Sequence, residues 1–138
     1  MALQLNPDKQ SIDIGIVVRD SAKALAFYRD TLGMEHIADQ PMPVGGGGTM
    51  HRLGCGSVTV KVVAYNNVPE LSNPGGGLMG ASGFRYFTIS ITNIVEATDQ
   101  CAAAGYKVAM PVTEIRPGVR ISMIEDPDGN WVELLQAG

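Results

Sequence analysis

The chain repeats itself, and the repeat limits what it can fold into more than any other feature. Sliding the sequence by 73 positions lays Ile14, Ile16, Val18 and Asp20 on Phe87, Ile89, Ile91 and Asn93. A shift of 72 lays Gly33 on Gly105, and residues 58–63, VTVKVV, on residues 130–135, NWVELL. A period of this length makes each copy one supersecondary unit that buries its apolar face against a neighbour.

Each copy reads the same way. Residues 12–18, IDIGIVV, alternate, with Ile12, Ile14, Ile16 and Val18 on one face, the pattern of a strand with one side in a core. Asp20 and Ser21 offer N-cap oxygens to a helix from about Ala22 to Leu32, stopped by Gly33. Strands follow near Met34–Asp39, Thr49–Leu53 and Ser57–Tyr65, with the run GGGG at 45–48 expected to form a flexible hairpin or pocket lid. No Lys-Ser/Thr pair follows those glycines, which argues against a phosphate cradle. The second copy restarts with RYFTISIT, where Phe87, Ile89 and Ile91 face a core, then a helix capped by Asn93 and stopped by Gly105. Its later strands fall near Tyr106–Met110, Val119–Glu125 and Asn130–Gln136, the last two joined by the turn DPDGN.

The expectation is therefore an α+β fold: two β-α-β-β-β modules, about residues 11–66 and 81–136, joined by the Gly/Pro-rich linker 67–80 into a single domain spanning 1–138 with a concave mixed sheet. A chain of 138 residues buries about two-thirds of its unfolded surface. The repeat also pairs polar residues. Asp13 corresponds to Tyr86 and Lys61 to Glu133, so four polar side chains are expected to converge in one cavity.

Composition narrows the partners. A net charge of −4 without a Lys/Arg cluster argues against nucleic acid and anionic membranes, which need a basic face. There is no apolar run of membrane-span length and no leader pattern at the start, so a cytoplasmic protein is the default. Cys55 and Cys101 are too few for a disulfide framework or a zinc site and read as free thiols.

Two segments carry a family resemblance. VVRDSAKALAFYRDTLGM at 17–34 and EDPDGNWVEL at 125–134, in this order of elements, resemble the vicinal oxygen chelate superfamily, which includes glyoxalase I, methylmalonyl-CoA epimerase, bleomycin-resistance proteins and extradiol dioxygenases. The resemblance implies a glyoxalase-like fold over nearly the whole chain, a small-molecule ligand and a homodimer. In metal-using members a divalent ion is held by one residue from the first and one from the last strand of each module. Those positions fall on Asp13, Lys61, Tyr86 and Glu133, where the family's usual residues are His, Gln or Glu, so only Glu133 matches.

The donor set argues against a metal there. An ammonium has three donors and no lone pair, and nearby carboxylates raise its pKa further. A phenol with a pKa of about 10 is a poor ligand for nickel, zinc or magnesium. No metal cofactor is expected; if one were bound, Glu133 and Asp13 would hold it. Lys61 would instead take the place of the cation and neutralise Glu133 or Asp13.

The expected function is accordingly a glyoxalase-like pocket protein: a metal-independent isomerase or lyase acting on a small oxygenated substrate. Glu133 or Asp13 would be the base, and Tyr86 or Lys61 would stabilise an enolate. Among further candidates, His51 and Arg52 lie on a central strand where one of them faces the cavity. Arg120 and Ser122, after the RPGVR loop, would bind an anionic group, and Trp131 would wall the pocket beside Glu133. Arg85 lies off the Tyr86 face and is expected in a structural salt bridge. The alternative is a bleomycin-resistance-like protein that sequesters a drug. A metal-dependent lyase or dioxygenase is less favoured, because His36 and His51 are the only histidines and a two-His-one-carboxylate set is not visible in the sequence.

Overall fold

The computed structural model describes residues 3–138. Strands β1 (Asp13–Val17), β2 (Glu35–Pro41), β3 (Gly48–Cys55) and β4 (Val58–Tyr65) form one mixed sheet in the order β1-β4-β3-β2. Strands β5 (Tyr86–Ser90), β6 (Val108–Arg116), β7 (Val119–Glu125) and β8 (Trp131–Ala137) form a second in the order β5-β8-β7-β6. In both sheets the first strand pairs parallel to the last and the other pairings are antiparallel. The repeat is thus a repeat of topology. Asp13 lies opposite Thr59 in the first sheet and Tyr86 opposite Trp131 in the second, positions related by the shifts of 73 and 72 seen in the sequence.

The chain divides into two compact units: residues up to Ser21 with Met34–Val68, and Ala22–Gly33 with Pro69–Gly138. The helical segment after β1 therefore belongs with the second sheet and not with the sheet of its own repeat. It begins as α1 (Ser21–Leu25) and widens into a π-helical turn over Ala26–Thr31, where the Leu32 N–H reaches the Phe27 carbonyl at 2.9 Å. Its aromatic side chains explain the placement. Phe27 meets Tyr106 edge-on at 4.7 Å between centroids, Tyr28 stacks on Phe87 at 6.5 Å, and both Phe27 and Tyr28 are fully buried.

In the first unit the core face of the sheet carries Val60, Val62 and Leu53, all buried. Ile12, expected on that face, is exposed, because the ladder begins only at Asp13. The glycines at 45–48 form the β2–β3 hairpin, closed by the Met42 N–H donating to the Gly48 carbonyl at 3.0 Å.

In the second unit α2 (Ile94–Ala103) buries Ile94, Thr98 and Cys101. Asn93 does not cap it as expected. The Ile94 N–H instead donates to the Gln136 side-chain oxygen on β8 at 2.9 Å, so the sheet satisfies one donor of the helix terminus. The expected linker is also structured: the Arg85 guanidinium, expected in a salt bridge, donates to the carbonyls of Pro74, Gly75 and Gly77 at 2.7–3.2 Å. Cys55 and Cys101 are free thiols, both pushed up in pKa by burial. Among the described residues no helix is long and apolar enough to cross a membrane.

Candidate functional site

Directly paired residues in a ladder share a face, and neighbours along a strand alternate. In the first unit this places Asp13, Lys61 and Arg52 on one face, with Arg52 opposite Lys61 and Gly15, two residues past Asp13, on the other flank of Lys61. Lys61 Nζ lies 3.3 Å from Asp13 Oδ2, and Lys9 Nζ lies 2.6 Å from Asp13 Oδ1. The Lys9 hydrogen bond above all, with Lys61 adding to it, holds the Asp13 carboxyl below its ordinary pKa and outweighs the opposing effect of burial. Beside them, Arg52 Nε is buried without a hydrogen-bond partner.

In the second unit the equivalent face carries Tyr86 and Thr88 on β5 and Trp131 and Glu133 on β8. The Thr88 hydroxyl donates to Glu133 Oε1 at 2.7 Å, fixing one carboxylate oxygen, and the Trp131 indole N–H donates to Glu125 Oε1 at 3.2 Å. Tyr86 is half exposed opposite Trp131. The chain at Gly77 closes over the Trp131 ring: a Cβ there would fall 2.5 Å from the ring, and its φ of +65° already favours glycine.

Other candidates lie elsewhere. Ser122, expected to bind substrate, is fully buried and shares a 2.8 Å hydrogen bond with Thr98, so it is closed to any ligand. Arg120 has the parity of Ser122 and lies on the face opposite Glu133. His51 is next to Arg52 and so points to the face opposite Lys61.

There His51 enters a group that the sequence reading did not find. His51 Nδ1 lies 2.7 Å from Asp39 Oδ1, His36 Nε2 lies 2.6 Å from the same oxygen, and His51 Nε2 lies 3.0 Å from Ser21 Oγ. Two histidines and one carboxylate thus meet away from the strands β1 and β4, at residues other than the superfamily's ligand positions. Part of this group was readable, since a hairpin centred on Gly45 sets Asp39 opposite His51. His36 was not: a bulge between His36 and Ala38 turns it onto the face of Asp39, three residues away.

At the turn of 126–130, the buried Asp126 accepts the Tyr28 hydroxyl at 2.6 Å, the N–H groups of Asp128 and Asn130, and the Asn130 amide. This carboxylate holds the turn that leads into β8 and sets where Glu133 stands.

The sequence profile of the Glyoxalase/Bleomycin resistance protein/Dioxygenase superfamily matches residues 12–134. The chain belongs to this superfamily. A relative from Synechocystis sp. (strain ATCC 27184 / PCC 6803 / Kazusa), a probable lactoylglutathione lyase, is 31% identical over 129 residues, covering 88% of this chain and 90% of its own. Among solved structures, a glyoxalase family protein from Bacillus cereus superposes with a TM-score of 0.81 at 14% identity, covering 99% of each chain. TnmS3, an antibiotic binding protein from Streptomyces sp. CB03234, superposes with a TM-score of 0.70 at 20% identity, covering 94% of this chain and 97% of its own. The two four-stranded sheets are the glyoxalase-like fold.

Of the positions where metal-using members of the superfamily place ligands, the two in the first unit carry Asp13 and Lys61. Lys61 offers no lone pair, and the Asp13 oxygens are already engaged by two ammonium groups.

Proposed function

We propose that this chain is a small-molecule isomerase or lyase of the glyoxalase superfamily that moves a proton without a metal at the superfamily's usual ligand positions. The observation that carries this reading is the Lys61–Asp13 ion pair at 3.3 Å, which puts a fixed positive charge where relatives in this family would place a metal ligand.

Glu133 is the base. Thr88 hydrogen-bonds one of its oxygens, leaving the other to take a proton from a carbon next to a carbonyl. In this reading the hydroxyl of Tyr86, which shares a face with Thr88 two residues on, donates to the enolate oxygen. The substrate class is a small oxo-acid or thioester.

A screen of such compounds for solvent deuterium uptake tests the assignment. Exchange that falls by at least about a hundredfold in Glu133→Gln supports it. Exchange unaffected by that change removes Glu133 from the role.

The second reading is sequestration of a small molecule without turnover, favoured by the fold shared with TnmS3, an antibiotic binding protein, and by the half-exposed Tyr86 opposite Trp131. Saturable binding with no exchange in any substrate would favour it. Both readings take the chain as a homodimer, since Leu71, Met79 and Phe84 expose large apolar side chains in one stretch of the second unit.

A further inference from the structure

We propose that His36, Asp39 and His51 form a binding site for a divalent transition-metal ion of the zinc, nickel or copper class, separate from the positions the superfamily uses. The three side chains come from β2 and β3, on the face of the first sheet opposite Lys61, and their ligand atoms lie within 4.8 Å of one another. This proposal does not depend on the role given to Glu133.

Two imidazoles and a carboxylate suit such ions. With both rings neutral the group carries one negative charge, and a dication offsets it. The site is partly built: His51 is buried, His36 is half-buried and Asp39 is exposed on its outer side, so water can complete the coordination there.

The hydrogen bonds also fit. Without an ion, each ring donates an N–H to Asp39 Oδ1 at 2.6 and 2.7 Å. Metal–nitrogen and metal–oxygen distances of about 2.1 Å place tetrahedral donors about 3.4 Å apart, so each ring nitrogen must draw back from Asp39 Oδ1 by less than about an ångström. Loading moves the His51 proton to Nε2, where Ser21 Oγ, already at 3.0 Å, accepts it. Ser21 thus plays the part of an outer partner that fixes the ring and its tautomer.

The binding test is a calorimetric titration of the metal-stripped full chain with zinc, repeated with cobalt, whose visible absorption reports nitrogen and oxygen ligands. The expected result is saturation at one ion per chain at micromolar free metal. Binding is weakened at least about tenfold in His36→Ala and in Asp39→Asn, weakened about tenfold in Ser21→Ala, and unchanged in Glu133→Gln. His36 and Asp39 are not core residues, so loss of binding in their variants, with the melting temperature of the stripped protein retained, reports the site and not the fold. Absence of saturable binding, binding that survives both His36→Ala and Asp39→Asn, or binding lost in Glu133→Gln would each overturn the proposal.

Discussion

The Tyr28 hydroxyl donates a 2.6 Å hydrogen bond to the Asp126 carboxylate, across 98 residues of sequence. It ties the FY pair of the helical segment to the DPDGN turn, the two stretches on which the family resemblance rests. Their joint presence is a single packing requirement: a buried carboxylate must be fully hydrogen-bonded, and Tyr28 supplies the one donor the turn cannot.

Tyr28→Phe should therefore destabilise the chain by about 2 kcal/mol, the usual cost of losing a hydrogen bond to a charged group. It should also change the alkaline limb. Burial first, and Asp126 next, push the Tyr28 phenol well above its ordinary pKa. A raised folded-state value gives stability that is complete below about pH 10 and is lost as pH rises beyond it. Denaturant midpoints measured at pH 8 and above pH 10 should diverge in the native sequence and diverge less in Tyr28→Phe.

Asp13 should titrate below the ordinary carboxylate range, and the larger share of that shift comes from Lys9. Carbon-detected NMR should show the Asp13 midpoint rising more in Lys9→Met than in Lys61→Met. Since the folded value is depressed, the associated stability is present above the unfolded midpoint and fades as pH falls through the folded one. Equal or reversed effects of the two substitutions would contradict the geometry.

Gly77→Ala should disturb Trp131. The added Cβ falls 2.5 Å from the indole at a backbone angle that disfavours side chains, and the left-handed conformation alone costs about 1–2 kcal/mol. The indole fluorescence maximum and near-ultraviolet circular dichroism should both shift, with the far-ultraviolet spectrum retained.

Sedimentation of the native chain should give a dimer, and the double change Met79→Ser, Phe84→Ser should shift it toward monomer. Both residues are over 90% exposed, so the substitutions cost the isolated fold little. A monomer in the native sequence would count against the assembly.

Much of the architecture could be read in advance because alternation and the repeat are local signals. Phe87, Ile89 and Ile91 turned inward and Tyr86, Thr88 and Ser90 outward, as their parity required. What was lost depended on contacts distant in sequence. Nothing near Phe27 says that its helix packs with the second sheet, and nothing near Ile94 says that Gln136 will cap it. Parity also explains the candidates that fall elsewhere, since Ser122 sits one residue from the face that carries Glu133 and His51 one residue from the face that carries Lys61. His36 came to Asp39 only through a bulge, which no sequence pattern around it announces.

The most direct test of proton transfer without a metal at the superfamily's positions is deuterium uptake by an active substrate in chelator-stripped His36→Ala protein, which lacks the separate ion site, with and without added metal. Uptake that persists after stripping and collapses in Glu133→Gln is the predicted result. Uptake abolished by stripping and restored by a divalent ion would contradict it.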